Sequence, residues 1–342
     1  MTPGKGLTNL IEGPKIVPMP DEPYCLSMRR PCFFACWLVM IGFVSAAFSQ
    51  TRPIRPGPAG WATTNPTSPI EPGAKLQKLA DGFSFTEGPT SDEKGNIFFI
   101  DQPTDRILEW SADGKLTTWM HPCGHSNGMC LDSHGNLITC ADEMSQLWSI
   151  TPDKKATVLI KDFNGKLLNG PNDVWIRPDG GMYITDPFYK RDWWKQRGTA
   201  KQQDTEGVYF LSPDFKTLTR VVDDFEKPNG IIGTPDGMIL YVSDIQAGHT
   251  YSYTIQPDGS LKDKKLFNNF GSDGMTIDSD GNVYTSSRGA LQISDKNGNL
   301  IDRIPVNAAN CCFGGADGHL LFITARREIY GIRMRTKRVG PQ

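Results

Sequence analysis

The chain has 342 residues, with 35 Gly and 25 Pro, 38% hydrophobic positions, and 36 basic against 38 acidic side chains. That apolar content supplies a core and excludes a disordered chain. The near-neutral charge, with no basic stripe and no acidic tail, argues against nucleic acid as a partner.

Residues 28–50 read MRRPCFFACWLVMIGFVSAAFSQ. Arg29 and Arg30 precede an uncharged apolar stretch from Pro31 to Phe48, and Ala47 and Ser49 stand at −3 and −1 of a cut before Gln50. This reads as a secretory signal with Met28 as its expected start; a membrane anchor is the alternative. The expected product is exported, periplasmic or extracellular, with no stable membrane association after cleavage. Cys25, Cys32 and Cys36 leave with the leader, while Cys123, Cys130, Cys140, Cys311 and Cys312 remain. Five cysteines cannot all pair within one chain, so no disulfide framework holds the fold. The expected organisation is a leader over 1–49, a Pro-rich linker over 50–73, one domain over 74–335 and a tail over 336–342.

From residue 74 one pattern recurs: a short apolar run, a turn ending in Gly, then a β-rich run. The copies are SDEKGNIFFID, DSHGNLITCAD, RPDGGMYITD, TPDGMILYVSD, DSDGNVYTSS and GADGHLLFIT. Their glycines (Gly95, Gly135, Gly180, Gly237, Gly281 and Gly318) are spaced by 40, 45, 57, 44 and 37 residues. Such a period predicts an all-β, six-bladed β-propeller with four-stranded antiparallel blades around a central channel. The AKLQKLA stretch is expected to add a strand to the last blade and close the ring. DSDGN lacks the Glu of an EF-hand, so it reads as a turn. The long spacing holds an insert, DPFYKRDWWKQRGTAKQQDTEG, whose Tyr189, Trp193 and Trp194 either wall a pocket or pack on their own blade.

Eight residues before the turn glycines stand Glu87, Asn127, Asn172, Asn229, Asp273 and Asn310. Every one carries a carboxylate or carboxamide. Turn chemistry accounts for Asn-Gly and Asp-Gly pairs but not for Glu87 or Asn172, so a shared role at the channel mouth is the better reading. Oxygen donors without His or Cys suit a hard cation, Ca²⁺ before Mg²⁺ or Mn²⁺, with Zn²⁺ less natural. Asp101, Asp142, Asp186 and Asp244 end the following strands, as turn residues or as contacts near the same face. His125 reads as a surface-loop histidine near the mouth. There is no G-x-S-x-G, H-E-x-x-H, C-x-x-C or Walker loop, which disfavours nucleophilic Ser or Cys catalysis and nucleotide chemistry.

The segments FTEGPTSDEKGNIFFID, NGMCLDSHGNLITCAD, LNGPNDVWIRPDGGMYITDPFY, KPNGIIGTPDGMILYVSD and SDGMTIDSDGNVYTSS resemble the gluconolactonase family, which includes regucalcin and luciferin-regenerating enzyme. NCCFGGADGHLLFITA is a weaker match. The resemblance spans roughly residues 76 to 335 and implies one divalent metal at the mouth of a six-bladed propeller that hydrolyses lactones. By motif it assigns Glu87, Asn229 and Asp273 as metal ligands, Asp273 as base, and Asn172 to metal or substrate. An arginine of the animal members that helps bind the sugar falls on Gly170, whereas TDPFY matches the bacterial branch. The expected function is a metal-dependent lactonase acting on a small-molecule lactone. Metal falls to Glu87, Asn172, Asn229 and Asp273, and substrate to Asn127, Asn172, Asp186, Tyr189, Trp193, Trp194 and Asn310. A non-catalytic Ca²⁺-binding scaffold or sensor, and an arylesterase or phosphotriesterase, are the alternatives.

Overall fold

The computed structural model describes residues 59–340 apart from Arg288. The expected secretory signal, its expected Met28 start and Cys25, Cys32 and Cys36 lie outside the described residues. Each recurring turn is fixed by its own acidic residue. Asp92 Oδ1 accepts the N–H groups of Lys94 and Asn96 at 2.9 and 2.8 Å, while Asn96 Nδ2 donates to Asp92 Oδ2 at 2.8 Å. Asp132 and Asp278 close their turns in the same way. In DSDGN, therefore, the first carboxylate holds its own reversal, as Asx chemistry does.

After each turn comes a run of β-branched, aromatic and aliphatic residues that is buried on both faces, as in Ile97–Asp101 and Met182–Asp186. Strands farther along each meander, such as Leu116–Met120, turn mostly to solvent. Four meanders of four antiparallel strands result: Ser126–Leu131 through Ala156–Ile160, Val174–Ile176 through Leu218–Val222, Pro228–Gly233 through Leu261–Asn268, and Met275–Ile277 through Leu300–Ile304. The core lies between the faces of neighbouring sheets, where Trp175, Tyr183, Phe210 and Ile232, for example, form one buried cluster.

The expectation of six four-stranded blades is corrected by the strand pairing. The propeller has five sheets, because the first and last repeats share one of six strands. Gln77–Ser91 pairs with Ile97–Asp101 through its second half and with Leu320–Arg333 through its first half. Counting turns cannot reveal a strand that continues from one repeat into another. The AKLQKLA stretch does lie against the last repeat, with Gln77 opposite Gly331 and Lys78 opposite Tyr330. Upstream, Ile70 is buried and bridges to Met334, and Trp61 packs on the same core. The described part of the Pro-rich stretch is thus packed against the propeller. Beyond it, Arg338 of the tail donates its N–H to Gly318 O at 2.9 Å.

The aspartates that end the second strands secure the lead-ins to the inner strands. Asp101 Oδ1 accepts from Ser84 and Phe85 at 3.0 and 2.9 Å; Asp186 accepts from Asn169 and Gly170 at 2.9 and 2.8 Å; Asp244 accepts from Glu226 and Lys227 at 2.8 and 3.0 Å. Asp244 also accepts the Ala247 N–H at 3.2 Å. Asp244→Ala leaves these donors without their acceptor and is expected to lower unfolding free energy by about 2–4 kcal/mol, measured by denaturant titration.

Candidate active site at the channel mouth

Five of the six oxygen-bearing residues sit at or just before the start of the inner strands: Asn127 in Ser126–Leu131, Asn172 and Asp273 just ahead of Val174–Ile176 and Met275–Ile277, Asn229 in Pro228–Gly233, and Asn310 opening Asn310–Gly314; Glu87 lies in the second half of Gln77–Ser91. The inner strands approach one another closely here, and glycine permits it. A Cβ on Gly88 would lie 2.1 Å from Asn127 O, and one on Gly274 would lie 1.9 Å from Asn310 Cγ. Gly128 donates its N–H to Asn172 O at 2.7 Å.

Glu87, Asn127, Asn172 and Asp273 line one cleft of about 830 Å³, together with Tyr189, Arg191, Lys227 and Arg326. Asn229 is fully buried beneath it. Its Nδ2 donates to Asp273 Oδ1 at 2.9 Å and to Tyr189 Oη at 3.0 Å, while its Oδ1 is buried with no hydrogen-bond partner. Glu87 Oε2 accepts the Gly88 N–H at 3.0 Å. Burial, reinforced by the neighbouring Asp273, holds the Glu87 carboxyl well above the usual carboxylate range. Burial also raises Asp273, against the opposing pull of Asn229 and of the Arg191 and Arg326 charges. Two carboxyls in one desolvated site resist joint ionisation.

Other expected residues fall elsewhere. Asn310 Oδ1 accepts the Cys311 N–H at 2.7 Å; the residue borders a 20 Å³ cavity with Asp173, Cys130 and Cys311, and its side chain lies beside Glu87. Asp186 is fully buried on the backbone of Asn169 and Gly170, away from the cleft. Trp194 forms the core of the insert: its ring lies under Arg197 at 3.8 Å, and its Nε1 donates to Asp142 O at 2.9 Å. Trp193 stacks on His125 with ring centroids 4.6 Å apart, so this histidine is covered by the insert rather than free in a surface loop. The five cysteines over the described residues are buried thiols without disulfides.

Arg191, Lys227 and Arg326 of the cleft had escaped the sequence reading, as had Asp173 beside the smaller cavity. Asp173 occupies the position that glycine fills after Glu87, Asn127, Asn229 and Asp273, and burial pushes its carboxyl up to about 8. Arg191 Nε donates to Asp142 Oδ2 at 3.1 Å, and its guanidinium lies 5.2 Å from the Tyr189 ring centroid. Lys227 lies 4.6 Å from the same ring. The only signal in sequence was a cation set among the aromatics of the insert. Gly170 has no space for a side chain, since a Cβ would meet both Asp142 Oδ1 and Trp194 at 3.0 Å. A guanidinium in the cleft comes instead from Arg191.

Asp142 departs from the other strand-ending aspartates. The lead-in to Asn127 is held by Asp105, whose Oδ1 accepts from Cys123 and His125 at 2.9 and 2.7 Å. Asp142 is thereby released to anchor the insert through Arg191 and Trp194. Among the described residues no group of three His, Cys, Asp or Glu side chains is placed to hold a metal; a cation in this cleft would need amide oxygens as well as carboxylates.

Residues 85–327 match the family described as the SMP-30/Gluconolactonase/LRE-like region. The chain belongs to this family. A gluconolactonase from Zymomonas mobilis is 28% identical over 297 residues, covering 78% of this chain and 82% of its own. A solved gluconolactonase from Xanthomonas campestris superposes with a TM-score of 0.72 at 27% identity, over 81% of this chain and 99% of that one. A calcium-binding regucalcin from Agrobacterium tumefaciens shares the fold, with a TM-score of 0.62 at 19% identity, over 76% and 94% of the two chains.

Burial raises the Asp142 carboxyl to about 6, overriding Arg191 and Trp194. The folded state therefore holds a proton that the unfolded chain has released between about pH 4 and 6, and this contribution to stability falls as pH rises through that window. Comparing wild type with Asp142→Asn isolates it: the stability difference is expected to change by about 2–3 kcal/mol across the window. Denaturant titrations at several pH values measure the change.

Proposed function

We propose that the protein is an exported, metal-dependent lactonase that opens a sugar or related lactone to its hydroxy acid. The observation that carries this reading is Asn229: its amide nitrogen is fixed by Asp273 and Tyr189, and its oxygen is buried without a donor. Such an acceptor costs about 1–3 kcal/mol, and beside the Glu87–Asp273 pair it fits a hard divalent cation. Glu87, Asn172, Asn229 and Asp273 are the residues that would hold it, with Ca²⁺ ahead of Mg²⁺, Mn²⁺ or Zn²⁺. When bound, the cation supplies Lewis-acid polarisation of the lactone carbonyl. The names of the Zymomonas and Xanthomonas gluconolactonases and of the calcium-binding regucalcin support lactone and cation in turn. Arg29, Arg30 and the apolar run that follows support export.

Asp273 acts as general base. One of its oxygens is oriented by the Asn229 amide, leaving the other to take a proton from water. The hydroxide adds to the carbonyl carbon, the ring C–O bond breaks as the tetrahedral intermediate collapses, and the proton returns to the ring oxygen. Asn127 and Asn172 present amides to the substrate within the cleft, while Tyr189, held between Arg191 and Lys227, forms a wall.

Asp273→Asn is expected to lower lactone turnover by about a thousandfold, measured by acid release with glucono-δ-lactone. Chelation should abolish activity, and Glu87→Gln combined with Asp273→Asn should abolish metal content in the purified protein. Full turnover after complete metal removal, or metal retained by the double variant, would overturn the reading.

A further inference from the structure

We propose that the substrate lactone carries a second, anionic group, a carboxylate or a phosphate, and that Arg326 receives it; this rests on the lactonase reading above. Three cations line the cleft; two make direct ion pairs, while Arg326 acts on Asp273 without one. Arg191 Nε stands 3.1 Å from Asp142, and Lys227 Nζ stands 3.9 Å from Glu206. The Arg326 guanidinium has neither an ion pair nor a side-chain hydrogen bond among the described residues, and its neighbour is the Phe85 ring at 6.0 Å. It is exposed, lines the cleft that contains Asp273, and comes from a different sheet than Lys227 does.

The backbone adds an independent observation. Arg326 has φ 61°, in the left-handed region, inside Leu320–Arg333 and opposite Thr86, beside a shift of register. Left-handed backbone at a long side chain is uncommon, and such conformations collect at functional sites. A neutral sugar lactone offers hydroxyls alone. A carboxylate or phosphate matches the guanidinium fork with two charged hydrogen bonds.

The test compares kcat/KM for neutral glucono-δ-lactone, a glucaric acid lactone and phosphogluconolactone in wild type, Arg326→Gln and Arg326→Lys. At least one anionic lactone should exceed the neutral one by tenfold or more in wild type, and its charge identifies the anion. Arg326→Gln should lower that ratio about tenfold, mainly through KM, with partial recovery in Arg326→Lys. Equal constants for neutral and anionic lactones, or a ratio unmoved by Arg326→Gln, would overturn the inference and leave the lactonase reading standing. If no lactone turns over, the lactonase reading fails, and calorimetric binding of glucarate and phosphogluconate decides the inference. Binding weakened tenfold in Arg326→Gln upholds it, and absence of binding overturns it.

Discussion

Backbone N–H groups on the way into an inner strand have no ladder partner, so side-chain acceptors take them. Asp101, Asp186 and Asp244 provide them from the ends of adjacent strands, and a buried carboxylate that accepts two N–H groups holds its segment firmly. Glu87, Asn172 and Asn229 follow these held segments by two or three residues. Their positions at the mouth are therefore inherited from bonds made outside the cleft. Where another residue takes over the task, as Asp105 does, the spare carboxylate of Asp142 is free to dock the insert.

From that anchor a chain of contacts runs into the cleft: Asp142 to Arg191, Arg191 over Tyr189, Tyr189 to Asn229, and Asn229 to Asp273. Orientation of the general base thus depends on the insert as well as on the repeats. Glycine at positions 88 and 274 lets the inner strands come close enough for Glu87, Asn229 and Asp273 to share one site. Crowding acidic groups in a desolvated place is unfavourable without a counter-charge, and the cations of the insert and rim stand around it.

The repeat and the oxygen register were legible because each is set by local chemistry. An Asp-led turn fixes its glycine, and the inner strand has a nearly constant length back to the mouth. Asn310 shares the register with Asn127 and Asn172, yet it borders a separate small cavity as well as Glu87, which the count does not say. Asp142 and Asp186 look alike in sequence but differ in role because the deciding partners, Asp105 and Arg191, are remote. The number of sheets was lost for a related reason: turns mark where a strand starts, and the pairing of Gln77–Ser91 with Leu320–Arg333 depends on residues more than two hundred positions apart.

That long-range pairing also bears on the order of events during synthesis. Residues 77–81 find their strand partners only once residues 328–331 have been made, long after the strand itself. Until then the nascent chain has meanders but no closed ring, and the mouth lacks Asn310 and Arg326. The first half of that strand must therefore wait unpaired while four complete meanders form, which leaves its edge open to a wrong partner.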